Sequence, residues 1–337
     1  MSGESPLREL LRDLPGPDEE ARAAVAARAS QVLRPAGALA RLDEVAAWLA
    51  AWQRTERPAV SSPHAVVFAA DHGVAVAGVS AYPSAVTAAM LDALEKGAAT
   101  ATAMARALGV TLEVLDVGVG RPTADLRDTP AMDERRFDEA VAAGVTSVDR
   151  AADAGADLLV FGEMGIGNTT AAAAVAACLF GGPIEGWVGR GTGLDDDGVA
   201  RKAAAVEACV ERLLSAGVTD PLEVLRHAGG AELAAMAGAC IQARRRSVPV
   251  VLDGYVVTAA VAPLAARVPG ALDHVVAGHR SAERGHGMLL ERLGLDPLLT
   301  LDLRLGEGSG ALLAVPLVRL AAVSVVEVAT FQEWGLA

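Results

Sequence analysis

Leu158-Leu159-Val160-Phe161-Gly162-Glu163-Met164-Gly165-Ile166-Gly167-Asn168-Thr169-Thr170, followed by an alanine-rich run, is the stretch that decides the fold. Residues 158–161 predict a short strand, the glycines predict a turn, and residues 171–179 predict a helix. A strand that is apolar throughout, instead of alternating, is typical of a parallel sheet covered on both faces. The order strand, glycine turn, helix therefore predicts an α/β protein.

The same rhythm begins at residue 65 and recurs along the chain. Further strands are predicted at residues 65–70, 112–117, 248–252 and 275–277, with weaker candidates at 186–188 and 300–305. Most of them end in a polar turn that contains glycine. Ligands of open α/β sheets bind at the carboxyl ends of the strands, so we expect the site there. The prediction is an open, mostly parallel sheet flanked by helices.

The two ends of the chain are predicted to be helical. Asp18 can cap a helix over residues 20–32, a second helix covers 42–52, and a long apolar helix covers 311–326. We assign residues 1–60 to N-terminal helices, 61–310 to an α/β catalytic domain, and 311–337 to a C-terminal helix and tail. The polar segment 121–138 is predicted to be a surface loop.

Composition excludes several classes of function. The net charge of −13 argues against nucleic acid or an anionic membrane as a partner, because both need a basic surface. No run of about twenty residues is free of charge, glycine or proline, so no membrane span is expected. The charged N-terminus lacks the apolar core of a secretion signal, and the three cysteines suggest neither a disulfide framework nor zinc. We expect a cytoplasmic protein.

The segment Arg304-Leu305-Gly306-Glu307-Gly308-Ser309-Gly310 places a carboxylate at a turn that leads into a helix. Glycines on both sides let a ligand approach the backbone closely. Glu307 is therefore a candidate proton acceptor, with Leu305 and Gly306 beside the ligand. The alternative is that Glu307 is only an acid in the first turn of a helix, where the helix dipole favours it.

The turn at residues 162–170 has two interpretations. Free N–H groups reached through Gly165, Ile166, Gly167 and Asn168 would suit an anion, or the turn is an ordinary one capped by Asn168 or Thr169. Glu163 would repel an anion, which favours a second reactive carboxylate at this place.

A phosphate site is predicted further along. Gly191 and Thr192 lie in a glycine-rich turn, Lys202 on the following helix supplies charge, and Ser281 follows another strand. Asp195-Asp196-Asp197 could suggest a metal, but acids at a helix start explain them better, so no metal site is predicted. Ser80 and Tyr82 lie in a turn where a flat aromatic ligand could bind.

Two nucleotide-binding motifs are missing from the sequence. The loop Gly-x-x-x-x-Gly-Lys-Ser/Thr does not occur, which argues against an ATPase. The adjacent acidic pair that holds magnesium pyrophosphate in ordinary phosphoribosyltransferases does not occur either. If a ribosyl group is transferred, its donor is not expected to be a pyrophosphate.

Eight sequence blocks in order between residues 65 and 335 resemble the nicotinate-nucleotide–dimethylbenzimidazole phosphoribosyltransferases. The resemblance implies a Rossmann-like sheet, a small helical domain formed from both termini, and a homodimer with sites near the interface. It implies Glu307 as the catalytic base, Glu163 as a second active-site glutamate, and no cofactor. The blocks begin with Ala70-Asp71-His72-Gly73-Val74 and Gly78-Val79-Ser80-Ala81-Tyr82-Pro83, and continue with residues 162–170, 189–202, 229–232, 252–254, 279–283 and 288–310.

The reaction that this resemblance implies uses nicotinate mononucleotide and 5,6-dimethylbenzimidazole. The products are α-ribazole 5′-phosphate and nicotinate, for assembly of the cobalamin nucleotide loop. Two alternatives remain at this stage. One is a non-catalytic binding protein for nucleotides or corrinoid precursors. The other is an NAD-dependent dehydrogenase, which is disfavoured because the loop Gly165-x-Gly167 lacks the full dinucleotide fingerprint.

Overall fold

A five-stranded parallel sheet is the centre of the described part of the chain. The computed structural model describes residues 5–336. Within that range the strand order is β2-β1-β3-β4-β5, and every neighbouring pair is parallel. A separate two-stranded ribbon joins β6 and β7. The strands are β1 (Pro63–Ala70), β2 (Thr111–Gly118), β3 (Leu158–Met164), β4 (Val250–Leu252), β5 (Val275–Ala277), β6 (His279–Arg280) and β7 (Leu299–Thr300).

Helices connect the strands and cover both faces of the sheet. They are α1 (Pro6–Leu10), α2 (Glu19–Ala29), α3 (Ala40–Gln53), α4 (Ala85–Glu95), α5 (Thr100–Leu108), α6 (Glu134–Asp153), α7 (Asn168–Phe180), α8 (Ile184–Trp187), α9 (Asp196–Ser215), α10 (Pro221–Ala228), α11 (Ala231–Arg245), α12 (Tyr255–Arg267), α13 (Arg284–Leu293) and α14 (Ser309–Val326). A 3₁₀ helix, Gly73–Ala77, follows β1. The predicted α/β class and the parallel sheet are confirmed.

Alternate residues of the central strands enter two separate cores. Phe68 and Phe161 face one side, where their rings meet edge to face at 5.9 Å among buried side chains of α7, α11 and α12. Val67 and Val160 face the other side, against α3, α5 and α14. Burial on both faces explains why the strands are apolar throughout.

Helices from the two ends of the chain contact each other on the second face. α14 packs against α2 and α3, and Arg28 in α2 donates hydrogen bonds to the carbonyl oxygens of Val325 and Val328. Val32 forms an isolated antiparallel bridge with Thr330. These contacts bring the termini together; the division of the chain into domains stays a prediction.

The five main strands were predicted at the right places, and two weaker predictions were wrong. Residues 186–188 were predicted as a strand, but residues 184–187 form the short helix α8, in which Trp187 is buried. Residues 300–305 were predicted as a strand, but only Leu299 and Thr300 pair, and Asp302 has a positive φ of 52° that ends the extended chain.

The prediction of a surface loop at residues 121–138 was wrong at its end. α6 already begins at Glu134, with Asp133 as its N-cap. Within the loop, Leu126 and Met132 are buried in the first core. The charged residues of this segment dominated the sequence pattern and concealed its buried apolar residues.

α14 is long and apolar enough to cross a membrane by length and composition alone. Slightly more than half of it, 56%, is buried inside the protein, against α3 and the central strands. A core helix with this packing passes the same test, so the helix is weak evidence for a membrane.

Candidate active site

A cavity opens at the carboxyl ends of the parallel strands. The chain leaves β1 toward β2 on one side, whereas β3, β4 and β5 follow on the other, so the switch point lies between β1 and β3. Such a switch point forms a crevice that binds ligands. The cavity has a volume of about 90 Å³ and opens to solvent. Its lining residues are Glu163, Met164, Gly165, Ile166, Asn168, Thr169, Gly191, Thr192, Asp253, Gly254, Tyr255, Val256, His279, Ser281, Glu283, Arg304, Leu305 and Gly306.

Glu163 lies at the wall of this cavity, near the end of β3. The side-chain amide of Asn168, at the start of α7, donates a hydrogen bond to Glu163 Oε2. Burial raises the pKa of Glu163 to about 8, and the nearby negative charges of Asp253 and Glu232 contribute to that rise. The raised pKa favours the protonated form of Glu163, in which its hydrogen can be donated to a ligand.

The turn that carries Glu307 has an unusual backbone. Gly306, Glu307 and Gly308 have φ values of 84°, 60° and 80°, so three consecutive residues are left-handed. Glycine adopts this conformation without cost, while a residue with a side chain does so at a cost of about 1 kcal/mol. The Glu307 amide donates to the carbonyl oxygen of Glu163 at 3.1 Å. The backbone of β3 thus fixes the turn.

Gly162 makes this contact possible. A Cβ at residue 162 would lie 2.3 Å from the Gly308 nitrogen and 2.6 Å from the Glu307 carbonyl carbon. Only a glycine lets β3 and the turn before α14 approach so closely.

The Glu307 side chain is only 4% exposed. Its Oε2 accepts a hydrogen bond from the Ala101 amide at 3.3 Å, in the first turn of α5. Burial raises the pKa of Glu307, the Ala101 hydrogen bond lowers it, and the charge of Asp253 raises it. The dipole of α5 therefore contributes to holding Glu307 in place. The alternative drawn from the sequence had assigned this effect to α14, the helix that follows Glu307. Glu307 follows Gly306 in the sequence; Gly306 lines the cavity, whereas Glu307 is not itself a lining residue.

Asp253 organises the region between the two glutamates and was not predicted as a site residue. One carboxylate oxygen accepts from the Gly308 amide at 3.2 Å, and the other from the Ala311 amide at 2.9 Å. Asp253 is 1% exposed and lies 3.3 Å from His279 Nε2. The sequence contained a signal for Asp253. This residue directly follows β4, and Glu163 likewise lies near the carboxyl end of its strand, β3.

A second buried acid lies on the other side of Glu163. Glu232 Oε1 is 2.5 Å from His72 Nε2, and both side chains are fully buried. Both residues come from the ends of elements that border the switch point, β1 and α11. Sequence analysis gave His72 no role, because a histidine at a turn is more often a packed residue.

Lys202 is the buried cation beside the cavity. Its ammonium donates to Thr169 Oγ1 at 2.8 Å and lies 3.4 Å from the Gly189 carbonyl oxygen. The residue is 1% exposed, and burial lowers its pKa to about 8. Within residues 5–336, its ammonium forms no ion pair with a carboxylate. The charge of Glu283, which lines the cavity, raises the Lys202 pKa against the effect of burial. A buried cation that is not ion-paired is suited to binding an anion.

The remaining predicted residues lie in three places: the cavity lining, the start of α7 and the cavity rim. Gly165, Ile166, Asn168, Gly191, Thr192, Ser281, Leu305 and Gly306 line the cavity. Gly167, with a φ of 99°, is the N-cap of α7. Ser80 Oγ lies 3.3 Å from Thr192 Oγ1, and Tyr82 is 53% exposed beyond it. The structure places these two residues at the rim, outside the lining.

The acidic run at residues 195–197 begins a helix. Asp195 caps α9 by accepting from the Gly198 amide at 2.8 Å, and Asp196 pairs with Arg190 at 2.5 Å. Across the described residues, His, Cys, Asp and Glu side chains form no group of three that could hold a metal ion.

Comparison with known proteins places the chain in a family. The DBI_PRT model, described as phosphoribosyltransferase, matches residues 14–336. A nicotinate-nucleotide–dimethylbenzimidazole phosphoribosyltransferase from Mesorhizobium japonicum is 49% identical over 330 residues, which are 98% of this chain and 97% of that protein. The chain belongs to this phosphoribosyltransferase family. The resemblance inferred from the eight blocks is thereby confirmed.

Other members of the family agree over nearly the full length. The enzyme of the same name from Ruegeria pomeroyi is 49% identical over 329 residues, covering 98% of this chain and 96% of that protein. The crystal structure of CobT from Thermus thermophilus superimposes with a TM-score of 0.90 at 45% identity, over 94% of this chain and 99% of that one. The chain is thus an enzyme of the phosphoribosyltransferase class, with the fold of that structure.

Proposed function

We propose that the chain transfers the 5-phosphoribosyl group from nicotinate mononucleotide to 5,6-dimethylbenzimidazole, with inversion at C1′. The products would be α-ribazole 5′-phosphate and nicotinate, for assembly of the cobalamin nucleotide loop. The observation that carries this proposal is one cavity lined by the carboxyl group of Glu163, with the Lys202 ammonium hydrogen-bonded to the lining residue Thr169 and Glu307 next in sequence to the lining residue Gly306. An anionic donor and a proton-releasing acceptor need these two kinds of group together.

The donor's phosphate would bind where the cation is. Thr169 accepts a hydrogen bond from the Lys202 ammonium, and a Cβ at Gly191 would lie 3.4 Å from Lys202 Nζ. Ser281 lines the same cavity as these two residues. A phosphate there would restore to Lys202 the charge stabilisation that it lost on burial.

The acceptor would react from the face of the ribose opposite to nicotinate. The ring nitrogen of the benzimidazole forms the new bond to C1′ as the bond to the nicotinate nitrogen breaks. That electron pair neutralises the positive pyridinium nitrogen, so nicotinate leaves without a proton from the enzyme. Positioning of the two rings in line with C1′ supplies much of the rate.

Glu307 would accept the proton from the second ring nitrogen of the benzimidazole. Burial and the charge of Asp253 raise its pKa, which makes it a stronger base than an exposed carboxylate. Glu163, whose raised pKa favours the protonated form, would instead orient a ring by donating its hydrogen. Because the two carboxyl groups have different surroundings, Glu307 would act as the base and Glu163 as a neutral neighbour.

The quaternary structure and the location are proposals that rest on the family resemblance. A homodimer with sites near its interface is consistent with the exposure of Tyr82 at 53% and Leu305 at 53% beside the cavity. The cytoplasm is the proposed location.

Release of nicotinate tests the proposed function directly. The protein is incubated with nicotinate mononucleotide, with and without 5,6-dimethylbenzimidazole, and nicotinate and α-ribazole 5′-phosphate are separated by chromatography. Both products must appear in equal amounts and only when both substrates are present. Binding of both substrates without product would identify a non-catalytic binding protein and refute the proposal.

A further inference from the structure

His286 is a fully buried histidine next to the proposed phosphate site. It lies in α13 and is 0% exposed, while Ser281, before that helix, lines the cavity. Nδ1 of His286 lies 2.9 Å from the Ser281 backbone nitrogen and 3.0 Å from Ser281 Oγ. Nε2 lies 3.0 Å from Thr258 Oγ1, on α12.

These contacts determine the tautomer of the ring. The Ser281 backbone N–H can only donate, so Nδ1 must carry the lone pair. The Thr258 hydroxyl gives its hydrogen to the Gly254 carbonyl oxygen at 2.9 Å, so its oxygen is free to accept from Nε2–H. Burial lowers the pKa of His286 to about 3, and the ring stays neutral. Both ring nitrogens therefore have one defined partner.

The same contacts leave the Ser281 hydroxyl hydrogen available to a ligand. The one in-plane lone pair of Nδ1 is already engaged by the backbone N–H of Ser281. The hydroxyl lies beside that nitrogen and at the cavity wall, so it can turn its hydrogen to an anion while the backbone bond keeps the residue in place.

We propose that His286 is a positioning residue that holds Ser281, through its backbone amide, with the hydroxyl directed at the donor's phosphate. The chain of contacts runs from Gly254 through Thr258 and His286 to Ser281, all within the protein. The inference rests on the proposed function, because it assigns the bound anion to the phosphate of the ribosyl donor.

Two substitutions separate the roles of the two ring nitrogens. The asparagine of His286→Asn places its amide oxygen near the Nδ1 position and can still accept from the Ser281 amide. The glutamine of His286→Gln reaches the Nε2 position and retains only the Thr258 contact. We expect His286→Gln to raise the KM for nicotinate mononucleotide about tenfold with kcat nearly unchanged, as for loss of a binding contact. His286→Asn should stay within about threefold of the wild type on the same reasoning.

A donor without the phosphate provides the matched control. With nicotinate riboside, neither variant should change kcat/KM, because the group that Ser281 binds is missing. In a Ser281→Ala background, His286→Gln should add no further increase in KM. A general structural defect would instead lower kcat/KM for both donors alike. That outcome, or an unchanged KM for His286→Gln, overturns the proposal.

Binding of inorganic phosphate tests the role of His286 without requiring the enzyme to catalyse the proposed reaction. The Kd for phosphate, measured by calorimetry, should rise in His286→Gln and Ser281→Ala but not in His286→Asn. If the wild type binds phosphate in this way but forms no nicotinate, the proposed function fails and the role of His286 stands.

If His286→Gln does not fold, Thr258→Val, which removes the acceptor for Nε2–H, is expected to weaken phosphate binding in the same direction. Equal phosphate binding by Thr258→Val and the wild type would then refute the proposal.

Discussion

The backbone amide of Glu307 donates a hydrogen bond to the carbonyl oxygen of Glu163 at 3.1 Å. This bond joins the end of β3 to the turn before α14, although the two residues are far apart in the chain. The two glutamates thus share one rigid element but have different surroundings. Glu307 is held by the first turn of α5, whereas Glu163 accepts a hydrogen bond from Asn168 and is subject to the charges of Asp253 and Glu232. Their proposed roles differ for this reason.

Replacement of Glu307 tests the proposed base. Glu307→Gln keeps an oxygen that can accept from the Ala101 amide but cannot take a proton. We expect kcat to fall by about two to four orders of magnitude, with little change in the affinity for nicotinate mononucleotide. Steady-state kinetics and calorimetric titration of the donor measure the two quantities. Glu327→Gln, at the C-terminal end of α14, is the control and should behave as the wild type. A Glu307→Gln enzyme with normal turnover would remove Glu307 from the mechanism.

Lys202 gives a prediction about pH as well as binding. The chain has only two lysines, Lys202 and the exposed Lys96, which makes a matched pair of variants. Lys202→Met should raise the donor KM by about one to two orders of magnitude, because a hydrogen bond to a charged group contributes about 1.5–3 kcal/mol. Lys96→Met should have no effect.

In the wild type, the donor KM should rise as the pH increases through about 8, because burial lowers the Lys202 pKa to that value and the charge is lost. The KM of Lys202→Met should not follow this pH dependence. A donor KM that is insensitive to Lys202→Met would exclude the residue from the phosphate site.

Asp253 is predicted to set the pH range in which Glu307 works. The base must be deprotonated, so kcat should fall as the pH drops below the pKa of Glu307. The charge of Asp253 raises that pKa, and its removal in Asp253→Asn should lower it. The acid limb of the kcat profile should therefore move to lower pH, while the maximal rate falls because the Gly308 or Ala311 amide loses its acceptor.

Glu232→Gln is the matched control for that experiment. Glu232 is equally buried, but its charge acts on Glu163 and is not a cause of the Glu307 shift. The acid limb should stay in place in this variant. An acid limb that moves equally in both variants would argue against Asp253 as a specific partner of Glu307.

The parallel sheet could be predicted because its strands are buried on both faces. That burial removes the alternation of polar and apolar residues, so the four strands β1, β3, β4 and β5 appear in the sequence as apolar runs. The edge strand β2 was still found, since its residues are half-buried and mostly apolar. Residues 186–188 were mistaken for a strand because the helix at residues 184–187 is too short for a helical period to appear in the sequence.

The sequence predicted many of the residues that line the candidate site, but not the buried residues that surround it. The predicted carboxyl ends of the strands indicated the position of Glu163. The glycines on both sides of Glu307 indicated that residue as a site residue. The contacts of Asp253, His72, Glu232 and His286 depend on which helix packs beside which strand, and no local pattern encodes that. Ala101 illustrates the limit: it contributes only a backbone amide, so its side chain gives no signal.

The raised pKa of Glu163 predicts a stability change that is independent of catalysis. A carboxyl group with an ordinary pKa of 4.5 when unfolded and about 8 when folded binds its proton more tightly in the folded state. Its stabilising contribution is complete below pH 4.5 and is lost as the pH rises toward 8, with a slope of at most about 1.4 kcal/mol per pH unit. Glu163→Gln, which is neutral at every pH, removes this dependence. Urea unfolding of both proteins between about pH 5 and 8 should show the wild type losing more stability than the variant as the pH rises. The exposed Glu95→Gln variant should follow the wild type. Parallel curves for the wild type and Glu163→Gln would mean that Glu163 is ionised at neutral pH and does not donate a hydrogen bond to the substrate.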